Sequence, residues 1–237
     1  MNHSQWSVKL LEAYPNISLP ADSSYLTGFE YLTEYLEPLA NVPNLFKRLF
    51  LGVELVQVGK NHLSKKSHIG HPKRTERLFR LLLRNGDREF IHHSQAVIDA
   101  SGVYSSPQFL GNGNIPAPGE LQARKQASAH IQYNLPNFEG ENRDQFAGRK
   151  TLLVGGGHSA ATVLESFNDL CFSTQQTKVF WVNRSDKIKP YFVLDNDPLP
   201  YRDALNKLGN QLATSPPCWL AYLQGTVEEI QVWPDRD

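Results

Sequence analysis

The chain has 237 residues, 40% hydrophobic and 20% charged, with 24 basic and 24 acidic side chains and a formal net charge of zero. That length supports one large or two small domains with a real core. The balanced charge offers no footprint for nucleic acid or an anionic membrane, and no apolar run reaches the ~18–20 residues that cross a bilayer.

The N-terminus Met1-Asn2-His3-Ser4-Gln5-Trp6 has no basic segment followed by an apolar one, so no signal peptide is expected and the chain is read as cytoplasmic. Met1 to Pro20 shows no strong period. From Gly28 to Ala40, Phe29, Leu32, Tyr35, Leu36 and Leu39 share one face, which predicts a helix whose last turn is distorted by Pro38. Leu49 to Val58 reads as a strand. Lys60 to Arg77 is basic, with His62, His68 and His71. It lacks the carboxylate or cysteine partners of a metal site and the interleaved aromatics of a nucleic-acid surface, so it is read as a solvated loop. Arg84-Asn85-Gly86-Asp87 sits between Arg77–Leu83 and Glu89–His92, a hairpin signal, and alternation there points one ring of His92-His93 inward and the other to solvent. Ala96 to Gly102 reads as a short apolar strand running into small residues, with Asp99 needing a partner wherever it is buried. Gln108 to Gln145, with Pro116, Pro118 and Pro136, is loop-rich and reads as a crossover. Cys171 and Cys218 form no C-x-x-C, which excludes a dithiol redox motif and gives no zinc ligand set.

The strongest signal is Lys150-Thr151-Leu152-Leu153-Val154-Gly155-Gly156-Gly157-His158-Ser159-Ala160-Ala161. It reads as a strand, a glycine turn and a helix start, with apolar residues at helical spacing beyond (Ala160, Val163, Leu164, Phe167, Leu170). Gly155-x-Gly157-x-x-Ala160 has the dinucleotide-binding spacing: one glycine for the tight turn, one for backbone approach to a pyrophosphate, one small residue for close helix–strand packing. The helix N-terminus adds partial positive charge, and Gly156, His158 and Ser159 complete the turn. Lys178 to Val182 predicts the second strand, ending in Asn183-Arg184-Ser185. An NAD site places an acidic residue there, roughly 20 residues on. Arg184 instead offers a guanidinium to a 2′-phosphate, which argues for NADP(H). A helix over Tyr201–Ala213 and a strand over Thr226–Trp233 complete βαβαβ, half of a doubly wound sheet. The same glycine turn also matches a nucleophile elbow centred on Ser159, but no histidine follows His158 to complete a hydrolase triad. A methyltransferase loop would want an acid where Arg184 stands.

Val97-Ile98-Asp99-Ala100-Ser101-Gly102-Val103-Tyr104-Ser105-Ser106-Pro107 resembles the "ATG" strand-loop of flavoproteins with two dinucleotide-binding domains, and Gly155–Ala160 resembles their second, NADP(H)-binding glycine turn. This is the pyridine-nucleotide-disulfide-oxidoreductase-like superfamily, and Gly-x-Gly-x-Ser-Ala is similar to its flavin-containing-monooxygenase-like branch. The helix ending at Ala40 and the strand after it fit the segment which that branch carries before its hairpin. The resemblance implies an α/β chain: a Rossmann-type doubly wound parallel sheet that binds NADP(H), plus a remnant of an FAD domain with an antiparallel β unit. It divides the chain into 1–111 (FAD-domain-like), 112–147 (crossover) and 148–237 (NAD(P)-binding). It implies nucleotide contacts from Gly155, Gly156, Gly157, His158, Ser159, Ala160, Asn183 and Arg184, with Ala100, Ser101 and Gly102 on the flavin side. Hydride would pass from NADPH to FAD, and a small molecule would be the substrate. No G-x-G-x-x-G precedes Gly155, and His130-Ile131-Gln132-Tyr133 follows Gly119 at too long a spacing for the monooxygenase fingerprint. The chain is therefore expected to be a partial one lacking the FAD glycine motif. A non-catalytic nucleotide-binding module is the alternative.

Overall fold

The computed structural model describes residues 4–14, 17–21, 24–104, 106–127, 130–138, 140, 142–174 and 176–233. Met1–His3, Ser105 of the ATG-like run and the final four residues of the expected C-terminal domain lie outside them. The chain is an α/β protein with one antiparallel and one parallel three-stranded sheet. It divides into two compact units, 1–100 and 101–237.

The first unit opens with helix α1 (Gln5–Glu12), capped where the Ser4 hydroxyl accepts the Ser7 N–H. The expected helix from Gly28 forms as α2 (Gly28–Tyr31), a π-helical turn (Leu32–Leu36) and α3 (Glu37–Ala40). Thr27 and Glu30 make a reciprocal capping box at its start. The distortion lies in the turn before Pro38, not in the last turn, Glu37–Ala40, which is regular α-helix. A proline ring crowds the carbonyl four residues back, and the wider π turn, with Glu37 N–H bonded to Leu32 O, makes room. Helix α4 (Pro43–Phe46) follows, and Leu11, Tyr35 and Val42 form this unit's small core.

Strands β1 (Glu54–Lys60), β2 (Phe79–Asn85) and β3 (Arg88–Ser94) pair antiparallel in that order. The expected strand from Leu49 starts late because Gly52, at φ +74°, turns the chain first. Asn85 faces Arg88 across a two-residue loop, and Gly86 takes its positive φ of +56°. His92 and His93 are both exposed, against the alternation expected of them. The basic segment between β1 and β2 is a turn-rich loop, and no three potential metal ligands cluster among the described residues. Ala96–Gly102 forms no strand, and Ile98 is 90% exposed. Its composition favours a strand, but a strand also needs a hydrogen-bonded edge, and neither sheet includes it.

In the second unit, helix α5 (Glu120–Gln126) starts at a fully buried carboxylate. Glu120 accepts the backbone N–H groups of Leu110 and Ala117 and the Tyr133 hydroxyl at 2.6 Å. Burial first, then this bond, pushes the Tyr133 hydroxyl up to about 12. The loop-rich crossover is thus ordered around one buried acid whose oxygens are hydrogen-bonded, as a buried polar group requires. After α6 (Arg143–Phe146) come β4 (Lys150–Val154), α7 (His158–Ser173), β5 (Lys178–Asn183), α8 (Pro200–Thr214) and β6 (Leu220–Gln224). The sheet runs parallel in the order β4-β5-β6, the arrangement of one half of a doubly wound sheet. The last strand occupies Leu220–Gln224, not Thr226–Trp233; the later run leaves the sheet, and Ile230 N–H bonds to Pro118 O at 2.9 Å.

All the apolar positions read from the period of α7 are buried: Ala160, Val163, Leu164, Phe167 and Leu170. From Ala161 on, they pack with Val179, Trp181, Leu205, Leu212 and Leu220 in one core. Both helices therefore cover the same sheet face. On the opposite face Leu152, Phe180 and Leu223 are exposed.

Candidate nucleotide-binding site

The site lies at the carboxyl end of β4 and β5, where open parallel sheets place ligands. Gly155 extends the β4–β5 ladder by donating its N–H to Val182 O at 2.9 Å, then turns with φ +139°, a conformation that L side chains rarely adopt. Gly156 has a different reason to be glycine: a Cβ there would stand 2.5 Å from Asn183 Oδ1. Gly157 has a third. Its backbone (φ −89°, ψ 177°) suits any residue, and a Cβ would meet nothing within 4 Å. The space above Gly157 is open, as a backbone-to-ligand approach requires.

Gly157 is the N-cap of α7, and no side chain caps it. The first turn carries no acidic residue, so its N–H groups and dipole are not neutralised from within. His158 and Ser159 are exposed in that turn and Ala160 is buried beneath it. Asp197 is engaged by Arg202 at 2.6 and 2.8 Å, which holds its carboxyl below the usual range.

Asn183 is buried at the end of β5, where its Oδ1 accepts the Ser185 N–H at 3.0 Å. Its Nδ2 is buried with no hydrogen-bond partner among the described residues. Through Asn183 the end of β5 touches Gly156, which brings the following residue, exposed Arg184, to the same end of the sheet as the turn. Arg184 forms no ion pair among the described residues. Gly155, Gly156, Gly157, His158, Ser159, Ala160 and Asn183 thus form one cluster. Ala100, Ser101 and Gly102 are exposed, outside any strand, at the boundary of the two units.

Ser159 does not have the geometry of a nucleophile elbow. An elbow places the nucleophile itself on the strained turn residue. Here the positive φ belongs to Gly155, and Ser159 lies in the helix.

Three supporting residues carry no motif signal. Trp181 Nε1 donates to Gly155 O at 2.7 Å, and the Tyr191 hydroxyl donates to Gly157 O at 3.2 Å. Tyr191 is buried, which drives its hydroxyl pKa strongly upward and keeps it a donor, and its ring stacks near Trp181. Asn210 of α8 holds the Tyr191 backbone from both sides, its Oδ1 accepting the N–H and its Nδ2 donating to the carbonyl, each at 2.9 Å. The one available clue was Gly209, a glycine inside a helix, which signals close approach. A Cβ there would lie 2.3 Å from Tyr191 Cε2. Gly209→Ala is therefore expected to destabilise the protein by about 1–2 kcal/mol through overpacking. Helix propensity alone would predict a gain of about 1 kcal/mol. Urea unfolding midpoints decide between the two signs.

No family model matches the chain, and no curated protein matches it. Among solved structures it is similar to FAD-bound DfoA, the cadaverine monooxygenase of the desferrioxamine biosynthetic pathway from the fire blight pathogen Erwinia amylovora, at 10% identity and a TM-score of 0.41. The match covers 73% of this chain and spans 36% of that one. So distant a likeness assigns no activity. The strand order and glycine turn themselves define an α/β protein with a Rossmann-type βαβαβ unit.

Proposed function

We propose that the chain binds NADP(H) at the β4–α7 turn and serves as the nucleotide-binding portion of a flavin-dependent oxidoreductase. The observation that carries this reading is the glycine turn. Gly155 supplies the strained φ, Gly157 faces open space, and the uncapped, acid-free start of α7 lies directly behind them. That combination suits a pyrophosphate. The turn and the His158 and Ser159 N–H groups would hold the pyrophosphate, and Arg184 would grip the 2′-phosphate. Bound NADPH supplies a hydride to a flavin, and the protein's contribution is to orient the nucleotide. No acid–base pair of side chains is needed for that step. Calorimetric titration with NADPH and NADH tests the reading: saturable binding with NADPH the tighter supports it, and no binding of either refutes it.

The course of Ala96–Gly102 outside both sheets, with Ile98 90% exposed, favours a second reading, in which the chain binds nucleotide without itself retaining flavin. On that basis, excess FAD is expected to leave the purified protein colourless after desalting, with no enzymatic rate of NADPH oxidation under air. Stoichiometric flavin retention with turnover would show the opposite.

A further inference from the structure

Trp181 and Tyr191 lie outside the fingerprint, yet each spends its one polar hydrogen on a fingerprint carbonyl. In a trans peptide the C=O and the next N–H point in opposite directions, and no peptide bond among the described residues is cis. Trp181 draws the Gly155 carbonyl down into the core at 2.7 Å, so the N–H of Gly156 points the other way, out of the core. Tyr191 bonds the Gly157 carbonyl at 3.2 Å alongside the helix bonds from Ala160 (3.0 Å) and Ala161 (3.2 Å). The N–H of His158 is thereby turned away from Tyr191.

We propose that Trp181 and Tyr191 are positioning residues, which aim the Gly156 and His158 N–H groups at the pyrophosphate of a bound dinucleotide. This rests on the dinucleotide reading above. Both donors are themselves fixed. Trp181 is fully buried, and Tyr191 is sandwiched between Trp181 and Gly209, with its backbone clamped by Asn210. The neighbouring Asn206 donates to Phe192 O at 3.0 Å and pins the next residue of the same loop. Residues 190–192 therefore act as a brace from α8 to the glycine turn. A turn set before binding loses less conformational freedom when the ligand arrives.

Two replacements in the full chain test this. Tyr191→Phe removes one oxygen. Site-specific exchange of Trp181 for benzothienylalanine replaces the indole N–H by sulfur at nearly constant shape, whereas Trp181→Phe would open a cavity in the core. Both variants are expected to fold as the parent does by circular dichroism. Both should bind NADPH and NADH more weakly, by roughly fivefold for one lost hydrogen bond. The ratio of the two affinities should not move, because the pyrophosphate is common to both nucleotides. Tyr201→Phe, which removes a phenol bonded to Glu165 away from the turn, should leave both affinities unchanged. In the nucleotide-free protein, ¹⁵N relaxation should show added mobility at Gly156 in the Trp181 variant and at His158 in Tyr191→Phe. Unchanged relaxation at both amides overturns the proposal whatever the affinities. Changed relaxation with parental affinity overturns the link to the ligand. If the parent itself binds neither nucleotide, the dinucleotide reading and the link to the ligand fall together, and the relaxation data decide separately whether the two aromatic donors hold the turn.

Discussion

Gly157→Val is expected to abolish dinucleotide binding while the chain keeps its fold. The backbone at Gly157 is in the extended region and a Cβ there meets no protein atom within 4 Å. A valine therefore costs little in the free protein, about 1 kcal/mol as a poorer N-cap. It fills the space through which a pyrophosphate must approach the backbone, so the loss is steric and should exceed about a hundredfold. Calorimetry reads the affinity and a denaturation midpoint reads the fold. Gly155→Val is the contrasting control: at φ +139° it should unfold more readily, by about 1–3 kcal/mol. Ser159→Ala should weaken binding only several-fold, since it removes at most one hydrogen bond. Parental affinity in Gly157→Val would mean that no ligand approaches the backbone here.

Arg184→Asp should cost about 2–3 kcal/mol of NADPH affinity, near a hundredfold, while NADH binding holds or improves. Arg184 is exposed and unpaired among the described residues, so the substitution breaks no internal ion pair and leaves the free protein's stability nearly unchanged. The reversal of preference separates a 2′-phosphate contact from general electrostatic attraction, which would weaken both nucleotides together. Equal affinity of the parent for NADPH and NADH would refute the role given to Arg184.

Where one period and one neighbour decide an element, the sequence was enough. The spacing Ala160-Val163-Leu164-Phe167-Leu170 has one solution as a helix face, and every member is buried in α7. Gly86 in a two-residue loop likewise fixes the β2–β3 register locally. Strand positions that depend on distant partners were not legible. Thr226–Trp233 has the stronger alternation, but the free edge of β5 is taken by Leu220–Gln224, the first run available after α8. The later run instead packs its backbone on Pro118, beside Gly119, whose missing side chain leaves room for Ile230. Ala96–Gly102 has strand composition but pairs with the edge of neither sheet. In the glycine turn, the spacing revealed which backbone positions are special. It could not show that Asn183 is why Gly156 lacks a side chain, nor that two aromatic rings hold the carbonyls beneath, because both facts depend on residues brought together only by the sheet.

The burial of Trp181 also gives the protein an optical probe of its own. Trp6 and Trp233 are 62% and 72% exposed, whereas Trp181 is 0% exposed, with its indole N–H committed to the turn. Iodide in the buffer is expected to extinguish the emission of the two exposed indoles and to spare that of Trp181, while the fourth tryptophan, half-buried Trp219, is quenched in part. What survives the quencher comes from Trp181, whose indole N–H bonds the Gly155 carbonyl, together with the remainder from Trp219, so Trp219→Phe isolates a signal by which a change of peptide geometry at the turn can be followed by wavelength.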